Sequence, residues 1–299
     1  MSYILKDLKL PENMKVSGFT FIKNGSILGY PFIQSIQSIL PIVDEFIVNV
    51  GASEDDTMER IRGIKDKKIK IITSDWNNCM TDKGYVYGQQ KMIAQFNCSG
   101  DWAFYIEGDE IYHENDLERI RQSMLENLND PKVEALAFKF KHFYGNTSTY
   151  LDSPGWYRKE VRIIRNNIRS YAPDGLFWVV LQKNKKGRYP FAKLIEAECY
   201  HYGWVRTQEE MNLKSLKVNK YWSKPPSKID YSKIDPVILK LFNKSHPKVI
   251  KDFFPISSDK FQSDPNYLIT KKDKKYRLLL KIEKHLKLDL SRKHFKLLR

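Results

Sequence analysis

The chain has 299 residues, 41% hydrophobic and 29% charged, so it can bury a sizeable core and is neither disordered nor low-complexity. It holds 51 Lys+Arg against 36 Asp+Glu, a formal charge of +15. No stretch approaches ~20 consecutive apolar residues, which excludes a membrane-spanning helix. Residues 1–10 alternate apolar and charged side chains without the apolar core of a secretion signal. Cys79, Cys98 and Cys199 have no C-x-x-C spacing, which argues against structural zinc and fits a reducing compartment. A cytoplasmic location is expected.

In chain order, residues 16–23 (VSGFTFIK) read as a first strand, closed by Asn24-Gly25. Residues 28–40 follow with helical apolar spacing at Leu28, Phe32, Ile36 and Leu40, and Pro31 suits the first turn. Residues 45–50 (EFIVNV) are a second strand, and a small, acidic loop leads to a helix over 57–64 that Asp55 or Asp56 can cap. Residues 70–73 are a third strand, 86–97 a helix, and 103–106 (AFYI) a fourth strand ending in Glu107-Gly108-Asp109-Glu110. A helix over 115–128, capped by Asn115 or Asp116, follows. Strands alternating with helices at this spacing predict βαβ units and a Rossmann-like, mainly parallel α/β sheet. Residues 133–144 and 161–165 (VRIIR) then read as strands of an antiparallel part.

This map gathers Asn24, Asn49, Asp75, Glu107, Asp109 and Glu110 near the carboxyl ends of the strands, where α/β proteins bind nucleotides. Asp and Asn also end strands for turn chemistry alone. The 107–110 cluster is more specific. Three carboxylates that close raise one another's pKa unless a cation offsets them, and hard cations such as Mg²⁺ or Mn²⁺ take such oxygens and bridge to phosphate.

Three segments carry a resemblance. Residues 19–25 (FTFIKNG) look like a first strand and turn. Residues 48–57 (VNVGASEDDT) are similar to a second strand and Ser-x-Asp-Gly-Thr-like loop, with Ser53, Asp55 and Thr57 in the matching places. Residues 100–114 (GDWAFYIEGDEIYHE) look like a segment holding an Asp-x-Asp metal motif. Together they resemble the nucleotide-sugar glycosyltransferases of family two, which have the A-type fold, over roughly residues 15–210. Glu107 stands where the first Asp of the metal motif is usual, Asn49 replaces an acidic residue of the second strand, and Met92 follows Lys91 where Asn is common.

The resemblance implies inverting, metal-dependent transfer of a sugar from a nucleoside-diphosphate donor to a glycan or lipid-linked acceptor. Asp109 would hold Mn²⁺ or Mg²⁺ through the diphosphate, and Glu107 would touch the metal or the donor ribose. Asp75 would meet the nucleobase, Asn49 the base or ribose, and Lys91 would add charge near the nucleotide. Asn24 belongs to the same nucleotide-binding rim. Asp174, in YAPDGLFW (171–178), is the candidate catalytic base, with Glu160 and Glu110 as rivals; a plain Pro-Asp-Gly turn also accounts for it. His201, in CYHYGWVR (199–206), matches a late metal ligand, Arg206 a phosphate contact, and His113 suits the start of the next helix.

The charge divides unevenly. Residues 1–210 balance, whereas residues 211–299 hold 23 Lys+Arg against 8 Asp+Glu. The expected division is a catalytic region, 1–210, and a basic, mainly helical C-terminal region, 211–299. Residues 271–290 place Leu279, Ile282, Leu286 and Leu290 at helical spacing among lysines, which suits either an anionic membrane surface or a helix packed on the body with its lysines in solvent. The tail aromatics form no nucleic-acid-binding motif. Two alternatives remain: a nucleotidyltransferase, although residues 24–29 lack its basic Gly-rich loop, and a non-catalytic nucleotide-sugar-binding protein.

Overall fold

The computed structural model describes residues 14–298. Residues 1–10, read above for a leader segment, lie outside the described residues. The first half alternates β1 (Val16–Ile22), α1 (Phe32–Ile39), β2 (Glu45–Gly51), α2 (Thr57–Arg62), β3 (Ile69–Ser74), α3 (Tyr85–Phe96) and β4 (Trp102–Tyr105). These strands run parallel in the order β3-β2-β1-β4. Period-two alternation explains the layers. Phe46, Val48 and Val50 of β2, with Trp102 and Phe104 of β4, face a core closed by α1 and by α4 (Leu117–Glu126). Ile47, Phe19, Ala103 and Tyr105 face the opposite core beneath α3. Each fully buried Val, Ile or Phe among them contributes about 1.5–3 kcal/mol.

The second half continues through β5 (Glu110–Tyr112), β6 (Ala135–Tyr144), β7 (Asn146–Leu151), β8 (Lys159–Arg165) and three short strands, β9 (Ser170–Tyr171), β10 (Val179–Leu181) and β11 (Gly187–Arg188). It ends with β12 (Phe191–Trp204), α5 (Gln208–Val218), β13 (Leu239–Leu241), α6 (Lys271–Leu286) and β14 (Lys296–Leu297). β8 joins β4 antiparallel and β6 joins β8 antiparallel, as the alternating pattern of 133–144 suggested. β12 lies parallel to β6 and antiparallel to β5.

Three helix boundaries differ from expectation. α1 starts at Phe32, because Asn24 (φ 56°) and Gly29 (φ 61°) coil the preceding segment into turns. α4 starts at Leu117, behind a 3₁₀ turn (Glu114–Asp116) whose Asn115 N–H donates to His113 Nδ1; His113 is the cap there, in place of Asn115 or Asp116. α6 stops at Leu286, since Lys287 adopts φ 51°. Leu286, expected on its apolar face, is exposed, and Leu278 is exposed as well.

The C-terminal third is built into this body. The expected boundary at 210/211 falls inside α5, and two helices there are joined by irregular chain and short 3₁₀ turns. β13 pairs with β7, and β14 with β12. Arg277 grips Asp235 through two 2.8 Å bonds, and Arg158 reaches Glu283 at 2.8 Å, so α6 is tied to the sheet region.

Candidate active site

The chain leaves β4 through Glu107, Gly108 and Asp109 and returns as β5 along β12. The register sets His201 opposite Glu110, and Tyr202 N–H donates to the Asp109 carbonyl at 2.8 Å. One ligand atom from each of Glu107, Asp109 and His201 therefore falls within 4.8 Å of the others. Gly203 leaves the space beside them: a Cβ there would lie 2.6 Å from His201 Nε2 and 3.2 Å from Asp109 Oδ2. Two oxygens, an imidazole and room between them fit a hard or borderline divalent cation.

Charges surround this group. Arg162, fully buried, binds Glu110 through Nε (2.8 Å) and Nη2 (2.6 Å) and reaches Glu107 Oε1 at 3.1 Å. Burial and the neighbouring Glu110 push Glu107 up to about 7 in spite of Arg162, and its remaining 28% exposure lets solvent screen part of that. Burial alone would raise Asp109 too, but Lys214 (3.2 Å), His201 (3.5 Å) and Arg206 (3.5 Å) outweigh it and hold Asp109 well below the carboxylate range. Arg206 is clamped by Leu28 O (3.0 Å) and Gly203 O (2.5 Å), while its Nη2 has no hydrogen-bond partner among the described residues.

A cavity of about 490 Å³ opens over these residues. One wall is basic: Lys214, Lys217 and Lys220 recur every third residue along α5 and the 3₁₀ turn after it. The other is aromatic, with Trp76, Tyr87, Tyr221 and Trp222 packed ring to ring; Tyr87 and Trp222 stack at 6.0 Å. Lys214 is pushed down to about 8 by burial and by Arg206, against the pull of Asp109.

Of the residues singled out in the sequence, Glu107, Asp109, His201 and Asn24 line this cavity. Asn24 also ties the turn after β1, accepting from Glu54 N–H at 2.8 Å. The Ser53, Asp55 and Thr57 loop fastens the same turn: Asp55 accepts from Ile27 N–H (2.8 Å) and Thr57 Oγ1 from Gly25 N–H (2.8 Å). Asn49 lies elsewhere, buried between β3 and α3. Its Nδ2 donates to Gln90 and its Oδ1 accepts from Ser74. Asp75 is exposed and outside the cavity wall, which Trp76 supplies instead. Lys91 is buried under the 174–176 loop, where its Nζ donates to Gly175 O (3.1 Å) and Leu176 O (3.3 Å) and lies 3.4 Å from the centre of the Trp178 ring.

Asp174 shapes its own loop, Oδ1 accepting from Leu176 N–H at 2.8 Å, and the adjacent Gly175 and Leu176 line the cavity. The rival carboxylates are committed elsewhere: Glu110 to Arg162, and buried Glu160 to His294 and Val161 N–H. Arg162, His142 and the three cavity lysines, Lys214 and Lys217 on α5 and Lys220 in the turn after it, were not singled out in the sequence. The lysines did carry a signal, a basic residue at every third position from 214 to 220, but all three lie beyond the expected end of the catalytic region at 210. Arg162 and His142 sit in apolar strands and carried none.

No family model matches this chain, and no curated protein matches it. Among solved structures it is similar to TarS of S. aureus, with 16% identity over 51% of this chain and 47% of that one at a TM-score of 0.34. A longer TarS structure gives 15% identity over 68% and 39% at 0.36. Glucosyl-3-phosphoglycerate synthase from Mycobacterium tuberculosis, in complex with Mn²⁺, UDP and glucosyl-3-phosphoglycerate, gives 20% identity over 44% and 45% at 0.32. The chain spans about half the length of these structures or less.

Proposed function

We propose that this chain is an inverting glycosyltransferase that moves a sugar from a nucleoside-diphosphate donor, held with Mn²⁺ or Mg²⁺, to a hydroxyl acceptor. One observation carries the reading: Glu107, Asp109 and His201 converge within 4.8 Å, and three lysines line the cavity they share. Bound at the triad, a divalent ion supplies electrostatic stabilisation of the departing diphosphate. Lys214, Lys217 and Lys220 extend positive charge along the cavity for about 9 Å, at 1.5 Å rise per residue. That suits a diphosphate and its flanking ribose. Arg206 Nη2, an ion-pair partner of Asp109 at 3.5 Å without a hydrogen bond among the described residues, has a donor left for a phosphate oxygen. The aromatic wall offers ring faces to a nucleobase or sugar and keeps water out.

Inversion requires a carboxylate on the far side of the sugar to take the acceptor's proton. Asp174 is assigned this role. Its Oδ1 is held by Leu176 N–H, its Oδ2 takes no hydrogen bond among the described residues, and its loop forms part of the cavity wall. Lys91 supports that loop from below in place of touching nucleotide. Asn49 and Asp75 act from behind the cavity: Gln90 accepts from Asn49 Nδ2 and donates to Asp75 O, each at 3.0 Å, which orders the β3–α3 approach whose Trp76 lines the cavity.

The acceptor is assigned as a glycan or a lipid-linked acceptor. Exposed Lys274, Lys275 and Lys281 flank exposed Leu278 on the outer side of α6, which supports attachment of 271–290 to an anionic cytoplasmic membrane face. Among the described residues no helix is long and apolar enough to cross a membrane. Product analysis by proton NMR tests the chemistry. The expected products are a nucleoside diphosphate and a glycoside of opposite anomeric configuration. Retained configuration, or release of pyrophosphate as in nucleotidyl transfer, would contradict it.

A further inference from the structure

We infer that His142 is a positioning residue that fixes which nitrogen of His201 faces the cation site. The inference rests on the metal reading above and adds a residue to it. His142 on β6 and His201 on β12 are register partners across the parallel pair, so the backbone holds their rings side by side. His142 Nε2 lies 2.7 Å from the Tyr157 carbonyl oxygen. A carbonyl only accepts, so His142 Nε2 carries a proton. His142 Nδ1 lies 2.9 Å from His201 Nδ1, and one of these two nitrogens must lack a proton for the contact to be a hydrogen bond.

The surroundings decide which. A second proton on His142 would make it a buried cation with 1% exposure among Phe140, Trp156 and Tyr157, with no carboxylate in hydrogen-bond contact among the described residues. Burying an unpaired charge is costly. His142 Nδ1 is therefore the acceptor and His201 Nδ1–H the donor. In neutral His201 the lone pair then sits on Nε2, 3.5 Å from Asp109 Oδ1. At that distance either a second proton on His201 or a divalent cation joins the two groups, and a cation that displaces the proton finds the lone pair already aimed at it. The chain Tyr157 O, His142, His201 thus presents a bare nitrogen to the site, as carbonyl or carboxylate partners of metal-ligating histidines do.

The test needs no substrate. Manganese binding is followed by loss of the free Mn²⁺ electron paramagnetic resonance signal for the unchanged protein, His142→Phe, His142→Asn and His201→Ala. His142→Phe is expected to weaken Mn²⁺ binding by about 10–100-fold, while His142→Asn, whose amide oxygen can still accept, recovers much of it. His142→Phe binding within twofold of the unchanged protein, while His201→Ala loses binding, would overturn the positioning role alone. If the unchanged protein binds no Mn²⁺, the metal reading falls and takes this inference with it. Should His142→Phe not fold, nitrogen-15 NMR of the unchanged protein decides: neutral His201 protonated at Nδ1 is expected, and protonation at Nε2 overturns the proposal.

Discussion

Lys214 Nζ stands 3.2 Å from Asp109 Oδ2, joining a helix of the basic C-terminal third to the acidic turn after β4. That contact places a cation where a metal ion competes for the same carboxylate. A Lys214→Met variant loses the competitor and also loses one positive charge from the cavity wall. Mn²⁺ affinity without nucleotide should be unchanged or higher, and nucleoside-diphosphate affinity should fall about 10–100-fold, the value of a charge-assisted hydrogen bond. Calorimetric titration checks both; unchanged nucleotide affinity would remove Lys214 from the donor site.

Gly203 should be intolerant of a side chain. A Cβ at this position meets His201 Nε2 at 2.6 Å, so Gly203→Ala must displace the imidazole or fill the space between the ligands. Mn²⁺ binding is expected to weaken at least ~10-fold, as for loss of a supporting group around a metal. Thermal unfolding should shift only slightly, and normal Mn²⁺ binding would show that the cation lies elsewhere.

Asp174→Asn keeps shape and removes basicity. The amide can still accept from Leu176 N–H, so the loop should persist. Turnover is expected to drop by ~10²–10⁴-fold with nucleotide affinity little changed. A normal rate would return the 171–178 loop to a purely structural role, since Glu110 is held in an ion pair with Arg162 and Glu160 in a hydrogen bond with His294.

Away from the site, Glu45 anchors the start of β2. Burial would push its carboxyl up, but Lys70, Ser17 and Ser99 outweigh it and hold it at about 2, below the ordinary 4.5. A depressed folded-state value means this stabilisation is full above about pH 4.5 and is lost as pH falls toward 2. Glu45→Gln should flatten the stability profile across that window. At neutral pH it should cost about 1–3 kcal/mol, because Lys70, Ser17 and Ser99 lose a charged acceptor. Denaturant titrations at several pH values measure both; an unchanged acid limb would contradict the assignment.

The parallel half of the fold was legible because its strands are continuous apolar runs and its helices carry period-3.6 faces. β1, β2, β3 and β4 fall within a residue or so of their expected bounds. β12 was not legible: its fourteen residues mix Lys193, Glu196 and Glu198 with apolar side chains, and pairing with β6 and β5 overrides that pattern. The acidic turn and His201 were readable as residue types, but their meeting depends on β5 folding back along β12, a contact 90 residues long in sequence. Asn49 and Lys91 illustrate the opposite case. Both stand at the expected places along the chain, yet the side chains turn inward to Gln90 and to the 174–176 loop, which local sequence cannot specify.

On the proposed function, Asp109 and its neighbours bind a nucleotide sugar together with a divalent cation. The direct measurement is calorimetric titration of the chain, and of Asp109→Ala, with UDP-, GDP-, dTDP- and CMP-sugars in Mn²⁺ and in excess chelator. One donor class is expected to bind in Mn²⁺, with this binding lost in chelator and in the folded Asp109→Ala variant. Equal binding in Mn²⁺ and chelator, or binding that survives Asp109→Ala, would contradict it.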